Sequence, residues 1–153
     1  METAIDFYKE KKGSYPPSNG DTNNAVTNQL FYELSGTINK DTAYQTINGS
    51  ETILVTTIQN IFRTGGFANS SVDLAEVKNF MIGFKPTQIG ELSSGVKILV
   101  VPVPGPNDID VSGKQINPWR YNSISPTHNP DSYDLWAEIL IGGKTTIIGN
   151  WKE

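Results

Sequence analysis

Apolar residues recur at helical spacing through the first half of the chain and at strand spacing through the last third. Ile5 and Tyr8 lie on one side of residues 2–12, with Asp6, Lys9 and Glu10 largely elsewhere, which predicts a first helix. It has no capping residue before it, and Gly13 is its C-cap. Tyr15-Pro16-Pro17 then forces extended backbone, and 18–21 is turn chemistry. Asp21 or Thr22 can cap a second helix whose face is Val26, Leu30 and Leu34, widened by Phe31 and ended by Gly36. Residues 38–49 read as polar and irregular. Asn48 and Glu51 resemble a capping box, with Ser50 as the rival cap, for a third helix over 51–62. Leu54, Ile58, Ile61 and Phe62 form its stripe, although the β-branched residues of 53–58 also suit a strand. After Gly65-Gly66, Ser70 or Ser71 caps a short fourth helix through Val77 to Met81, with Asp73 and Glu76 in its first turns.

From Gly83 the period changes. Residues 97–103 predict a buried strand, ended by Pro102, Pro104, Gly105 and Pro106, which open a loop through Asp110. Gly113 is a turn, 115–123 the next strand, and 125–131 a loop with two prolines. Strands over 133–141 and 145–151 flank a Gly142-Gly143 hairpin turn. Helices first and an antiparallel sheet afterwards predict an α+β fold in one domain spanning 1–153. No internal repeat or low-complexity tract interrupts it.

Composition narrows the function classes. Of 153 residues, 37% are hydrophobic and only 18% charged, below the roughly 25% of ordinary chains. A surface of small neutral polar groups suits a protein outside the cytoplasm or one that stacks on copies of itself. The net charge is −4, and no basic block exists beyond Lys9, Lys11 and Lys12, which argues against nucleic acid as a partner. Without cysteine there is no disulfide, thiolate–zinc site or thiol nucleophile. The longest apolar run, 98–103, is far short of the roughly 20 residues that span a bilayer. A first helix without a beginning suits a segment of a longer chain and equally a short native N-terminal helix.

Candidate chemistry collects around the one histidine. A hydrolytic triad would need His128 as base, with Asp131 and Ser132 close in sequence, but no nucleophile elbow accompanies them. Asp108/Asp110 and Asp131/Asp134 are the paired carboxylates available to glycosidase chemistry. Asp131 and Asp134 are also the acids a calcium ion would use, without EF-hand spacing or a dense acidic loop. Phosphate-cradling glycine motifs are absent. Asn48-Gly49-Ser50 and Asn69-Ser70-Ser71 match the glycosylation sequon. Trp119 and Tyr121 share one strand face, and Asp134 and Trp136 one face of the next strand. The reading is aromatic core, with Asp134 accepting hydrogen bonds from backbone or an indole; exposed, the three tryptophans would instead offer a glycan-stacking platform.

Four landmarks carry a family resemblance. Asn117-Pro118-Trp119-Arg120-Tyr121 resembles the D-P-W-G-N-P-Y-x-Y segment of the major pseudopilins of type II secretion systems, without its Gly-Asn-Pro insert. Tyr133-Asp134-Leu135-Trp136 resembles their F-D-L-Y-S, Ile148-Gly149-Asn150-Trp151 their I-x-N-W ending, and Gly13-Ser14-Tyr15-Pro16 their G-x-Y-P joint. The resemblance covers roughly 3–22 and 113–152; residues 23–110 match nothing. It implies a pilin-like α+β domain: the end of an N-terminal helix (1–13), an enlarged helical connecting region (14–110) and a C-terminal sheet (111–153). The structural signature would be Tyr15, Pro16, Pro118, Trp119, Tyr121, Asp134, Leu135, Trp136, Asn150 and Trp151. Where that family carries an acidic calcium loop, this chain has Ala137 to Gly143, short and apolar, so no cofactor is carried over. The function implied is a non-catalytic subunit of a secretion or surface filament. Its partners would be other pseudopilin or pilin subunits and the secretion apparatus. It would be anchored in the bacterial inner membrane by a preceding helix, with the domain in the periplasm or in an extracellular filament. The alternative is an extracytoplasmic carbohydrate- or ligand-binding module.

Overall fold

A computed structural model describes residues 1–152. Helix α1 (Glu2–Lys12) forms as its apolar spacing predicts. It buries Ile5 and Tyr8 and stops at Gly13, whose φ of 83° lets its N–H reach the carbonyl of Lys9.

The remainder overturns the predicted architecture. Among the described residues, the regular structure is mostly strand, arranged in three sheets, with only two further short α-helices, α2 (Leu30–Ser35) and α3 (Val55–Phe62). The eleven residues of α1 are not the long N-terminal helix a pilin fold requires, so the pilin-like α+β expectation is corrected. One sheet has the order β3-β2-β1-β4, built from β1 (Thr37–Asn39), β2 (Ala43–Thr46), β3 (Thr52–Leu54) and β4 (Ser70–Ser71). A second runs β5-β6-β8-β7, from β5 (Ile89–Glu91), β6 (Lys97–Val101), β7 (Ile109–Val111) and β8 (Lys114–Pro118). The third is β11-β10-β9, from β9 (Arg120–Asn122), β10 (Asp134–Ile141) and β11 (Lys144–Gly149).

Each departure has a local cause. The second helix begins only at Leu30 because upstream asparagines capture the backbone. Asn24 Oδ1 accepts from Thr27 N at 3.0 Å, and Asn28 Oδ1 from Leu30 N at 3.3 Å. Residues 38–49 are a hairpin whose buried face carries Tyr44 and Thr46, too polar to show as an apolar alternation. The third helix starts four residues late, since 52–54 pair with β2. No fourth helix forms: β4 joins β1 in parallel, Asp73 caps a single 3₁₀ turn, and Val72 and Leu74 stay exposed. The strand expected over 115–123 breaks at Trp119, whose N–H bonds to the Leu99 carbonyl at 3.0 Å. There the chain passes from the second sheet into the third. The Gly142-Gly143 hairpin is as predicted, both glycines having positive φ.

The main core joins α1, α2 and α3 to strands of all three sheets through Ile5, Tyr8, Leu34, Ile58, Leu99 and Leu135, among others. Alternation along β6 sends Leu99 into this core and Ile98 and Val100 to the opposite face. There they form a smaller cluster with Ile116.

Candidate functional site

The landmark residues gather where the segment after α1 meets the third sheet. Tyr121 is fully buried in β9, and its hydroxyl donates to the Pro16 carbonyl at 2.6 Å. Ser123 Oγ donates to the same carbonyl at 2.8 Å. Tyr15 lies with its ring centroid 4.9 Å from that of Tyr133, which lies 5.7 Å from Tyr121. Burial, more than any neighbouring charge, raises the Tyr121 and Tyr133 hydroxyls above their ordinary range and keeps them protonated donors.

Asp134 opens β10 and is almost fully buried. Its Oδ2 accepts from the backbone N–H of Thr127 at 2.7 Å and of His128 at 2.9 Å, and its Oδ1 from that of Asn129 at 2.9 Å. Burial pushes this carboxyl up, but the N–H groups of His128, Thr127 and Asn129 together outweigh it and hold it below its ordinary value. The carboxylate thus organises the Pro-rich loop, as the sequence anticipated in naming backbone as its donor. Asn150 locks the same strand: Nδ2 donates to the Tyr133 carbonyl at 2.9 Å, and Oδ1 accepts from Leu135 N at 2.9 Å. Leu135 itself is core.

The tryptophans are half-buried. Trp151 stacks on the His128 ring at 3.9 Å and 6°, and meets Trp136 edge-on at 5.8 Å. Trp119 packs against the main core, and its carbonyl accepts from Asn28 Nδ2 at 2.8 Å. Pro118 ends β8 opposite Val100. Pro118 and Trp119 therefore stand at the junction between sheets, while Tyr15, Pro16 and Tyr121, and then Asp134, Leu135, Trp136, Asn150 and Trp151, form one continuous joint.

The chemistry this joint can perform is limited by what its polar atoms already bind. His128 pairs with Asp134, Nδ1 to Oδ2 at 3.2 Å, and neither Asp131 nor Ser132 is its partner. Among the described residues no hydroxyl hydrogen-bonds the imidazole. Calcium does not fit, because both oxygens of Asp134 face N–H donors, which would repel a cation. Asp108 and Asp110 hold turns: Asp108 accepts from Gly105 N, and Asp110 from Gly113 N and Gln115. Asn69 cannot carry a glycan in the folded chain. It is fully buried, with Nδ2 donating to the carbonyls of Glu33 and Lys78 at 2.7 and 2.6 Å.

Sequence reasoning missed Glu33. It is wholly buried on α2 and accepts from Tyr8 Oη at 2.9 Å, Gln29 Nε2 at 3.1 Å, Ala68 N at 2.8 Å and Asn69 N at 2.9 Å. Burial raises its pKa, against the pull of those donors. The signal was present in the sequence: one acid set inside Leu30-Phe31-Tyr32-Glu33-Leu34 cannot turn away from the core. Also unforeseen is a cleft of about 670 Å³ between the Pro86 turn, the end of β6 and β8, floored by Gly90, Val100 and Ile116. No aromatic residue lines it.

No protein-family model, curated protein or solved structure matches this chain.

Proposed function

We propose that this chain is a non-catalytic structural subunit of a secretion or surface-filament assembly, acting through contacts with other subunits of that apparatus. The observation that carries the reading is the joint itself. Ten landmark residues separated by over a hundred positions meet at or beside it. The polar groups among them bind backbone, as Tyr121 Oη does at Pro16 and Asn150 at Tyr133 and Leu135. Side chains used in this way stiffen a building block. The proposal concerns the role alone and brings no pilin architecture with it.

On this reading the domain works outside the cytoplasm, in keeping with its low charge content. Attachment to the bacterial inner membrane would need a segment other than the described helices, none of which is long and apolar enough to cross a bilayer. Deleting the gene in its host should abolish export of the secreted proteins or the surface filaments, and re-expression should restore them. Unchanged export together with unchanged filaments would overturn the proposal.

The cleft favours a second reading, a module for an apolar ligand, since its volume lies in the ligand-pocket range of roughly 300–1,000 Å³. A glycan is the poorer occupant, because the cleft has no aromatic wall and the Trp151 indole already stacks on His128 and meets Trp136 edge-on.

A further inference from the structure

The seam between the first and second sheets holds a pocket of about 390 Å³, which shares only Pro86 and Ile89 with the larger cleft. Separate elements build it. α2 contributes Ser35, the β2–β3 turn Asn48 and Glu51, the segment before β5 Asn79 and Phe84, and β6 Lys97. None of the three tryptophans lines it.

Its polar groups are fixed in place and not used up. Ser35 is 7% exposed, and its hydroxyl finds no hydrogen-bond partner among the described residues. The Thr37 and Asn117 oxygens are orphaned too, but those are sealed from solvent; Ser35 Oγ is not. A hydroxyl so nearly buried and left unpaired is costly unless something else satisfies it. The two asparagines are held by their oxygens. Asn48 Oδ1 accepts from Thr46 Oγ1 at 2.8 Å and Ser50 N at 3.0 Å, and Asn79 Oδ1 from Met81 N at 2.8 Å. Each amide plane is thereby set, and neither Nδ2 donates to another described group. Such donors need little further ordering to meet a ligand.

Charge narrows the ligand. Lys97 Nζ pairs with Glu91 and lies 3.7 Å from Glu51 Oε1. The cation is thus spent within the protein, and two carboxylates around one ammonium leave no attraction for an anion. The remaining wall is apolar, with Phe84 half-buried beside Met81 and Ile89. Preset amide donors, an unpaired hydroxyl, a carboxylate and an aromatic side chain suit a molecule that alternates hydroxyls with a C–H face.

We propose that this pocket binds a single neutral pyranose sugar. Its hydroxyls accept from Asn48 Nδ2 and Asn79 Nδ2, meet Ser35 Oγ and donate to Glu51, while its C–H face lies on Phe84. The site goes beyond the subunit role, and its failure would leave that role untouched.

The probes are methyl glucoside, methyl galactoside, methyl mannoside and N-acetylglucosamine, titrated into the isotope-labelled chain and followed by NMR. At least one should give saturable shifts at the amides of Ser35, Asn48, Glu51, Asn79 and Phe84, with the indole signals unmoved. Ser35→Ala removes a hydroxyl that bonds nothing in the protein, so it should keep the fold and weaken binding about threefold to tenfold. Asn79→Asp keeps the oxygen that holds Met81 N and loses the donor, so it should weaken binding about tenfold or more. The proposal is refuted if none of the sugars shifts these amides, if the shifts fall on the tryptophan indoles instead, or if Ser35→Ala and Asn79→Asp bind as tightly as wild type. Stronger shifts of the same amides by acetate or inorganic phosphate would also refute it, by showing an anion site.

Discussion

Two buried carboxylates, Glu33 and Asp134, give the molecule opposite responses to pH. Glu33 has no cation beside it, only four donors, and burial raises its pKa in the folded state. A raised folded value means its contribution is fully present below the unfolded pKa and is lost as pH rises through the folded one. Replacing it with glutamine removes that dependence. Urea melts of wild type and Glu33→Gln from about pH 4 to about pH 8 should show the wild-type advantage shrinking as pH rises. A gap that widens would mean that the carboxylate, once ionised, is the favoured form in the core. Asp134 runs the other way. Its folded value is depressed, so its stability is present above the unfolded pKa and disappears as pH falls through the folded one. Asp134→Asn loses the charge that three backbone N–H groups share, at a cost of about 2 kcal/mol near neutrality. The difference should vanish in acid, and a pH-independent loss would point to damaged packing instead. Of these two residues only Asp134 is singled out by a pattern, through its place beside aromatic landmarks; the signal for Glu33 is its setting inside an apolar run. Glu33 is perturbed without any motif, because its partners come from Tyr8 and from Ala68 and Asn69, positions that only the folded chain brings together.

At the level of elements, the joint and the chain reversals decide how the sheets are set. Tyr121→Phe removes the hydrogen bond that ties β9 to the segment after α1, while Ser123 still satisfies the Pro16 carbonyl. The cost should be about 1 kcal/mol, read from chemical denaturation. A loss several times larger would mean that the joint is cooperative beyond this one bond. Gly36 turns α2 into β1 with φ 75° and ψ 142°, a conformation few residues but glycine adopt, and an added Cβ would lie 2.6 Å from Val77 Cγ1 and 2.7 Å from the Lys78 carbonyl. Gly36→Ala should therefore destabilise by about 2 kcal/mol or more, whereas Gly49→Ala, strained in φ but meeting no atom within 4 Å, should cost less. These positions also show what was legible. Where an element buries an apolar stripe, as α1 does, or is closed by glycines, as the β10–β11 hairpin is, spacing located it. Where polar side chains bind backbone, spacing failed. Asn24 and Asn28 hold the loop before α2, Asn69 grips Lys78, and Thr46 fills a buried strand position, and each replaces the apolar signal on which a period depends. The joint was legible as a set of names in order. Its bonds were not, since Tyr121 and Pro16 stand 105 positions apart.

For the whole molecule, the distribution of buried groups sets which parts open together. The main core draws on every helix and on all three sheets, so α2, β6, β9 and β10 can separate only by exposing it. The face of the second sheet turned away from that core buries the smaller cluster of Ile98, Val100 and Ile116, with Ile109 and Val111 of β7 packed partly against it. β7 pairs with β8 alone and carries no residue of the main core. Its release uncovers little apolar surface, while release of α2 uncovers Leu30, Phe31, Tyr32 and Leu34 along with the Glu33 cage. Native-state hydrogen exchange should then resolve two levels. Amides that α2 shares with its own turns should exchange with the free energy of global unfolding, and those of the β7–β8 hairpin several-fold to many-fold faster, through a local opening. Val111→Ala should lower protection in the hairpin while leaving α2 protection nearly unchanged, because the smaller cluster is the only one it touches. Equal protection across the two regions would mean that the sheets unfold as one unit. In that case the cleft floored by Gly90, Val100 and Ile116 would be a rigid part of the block, where separate opening would make it the pliable end of an otherwise stiff subunit.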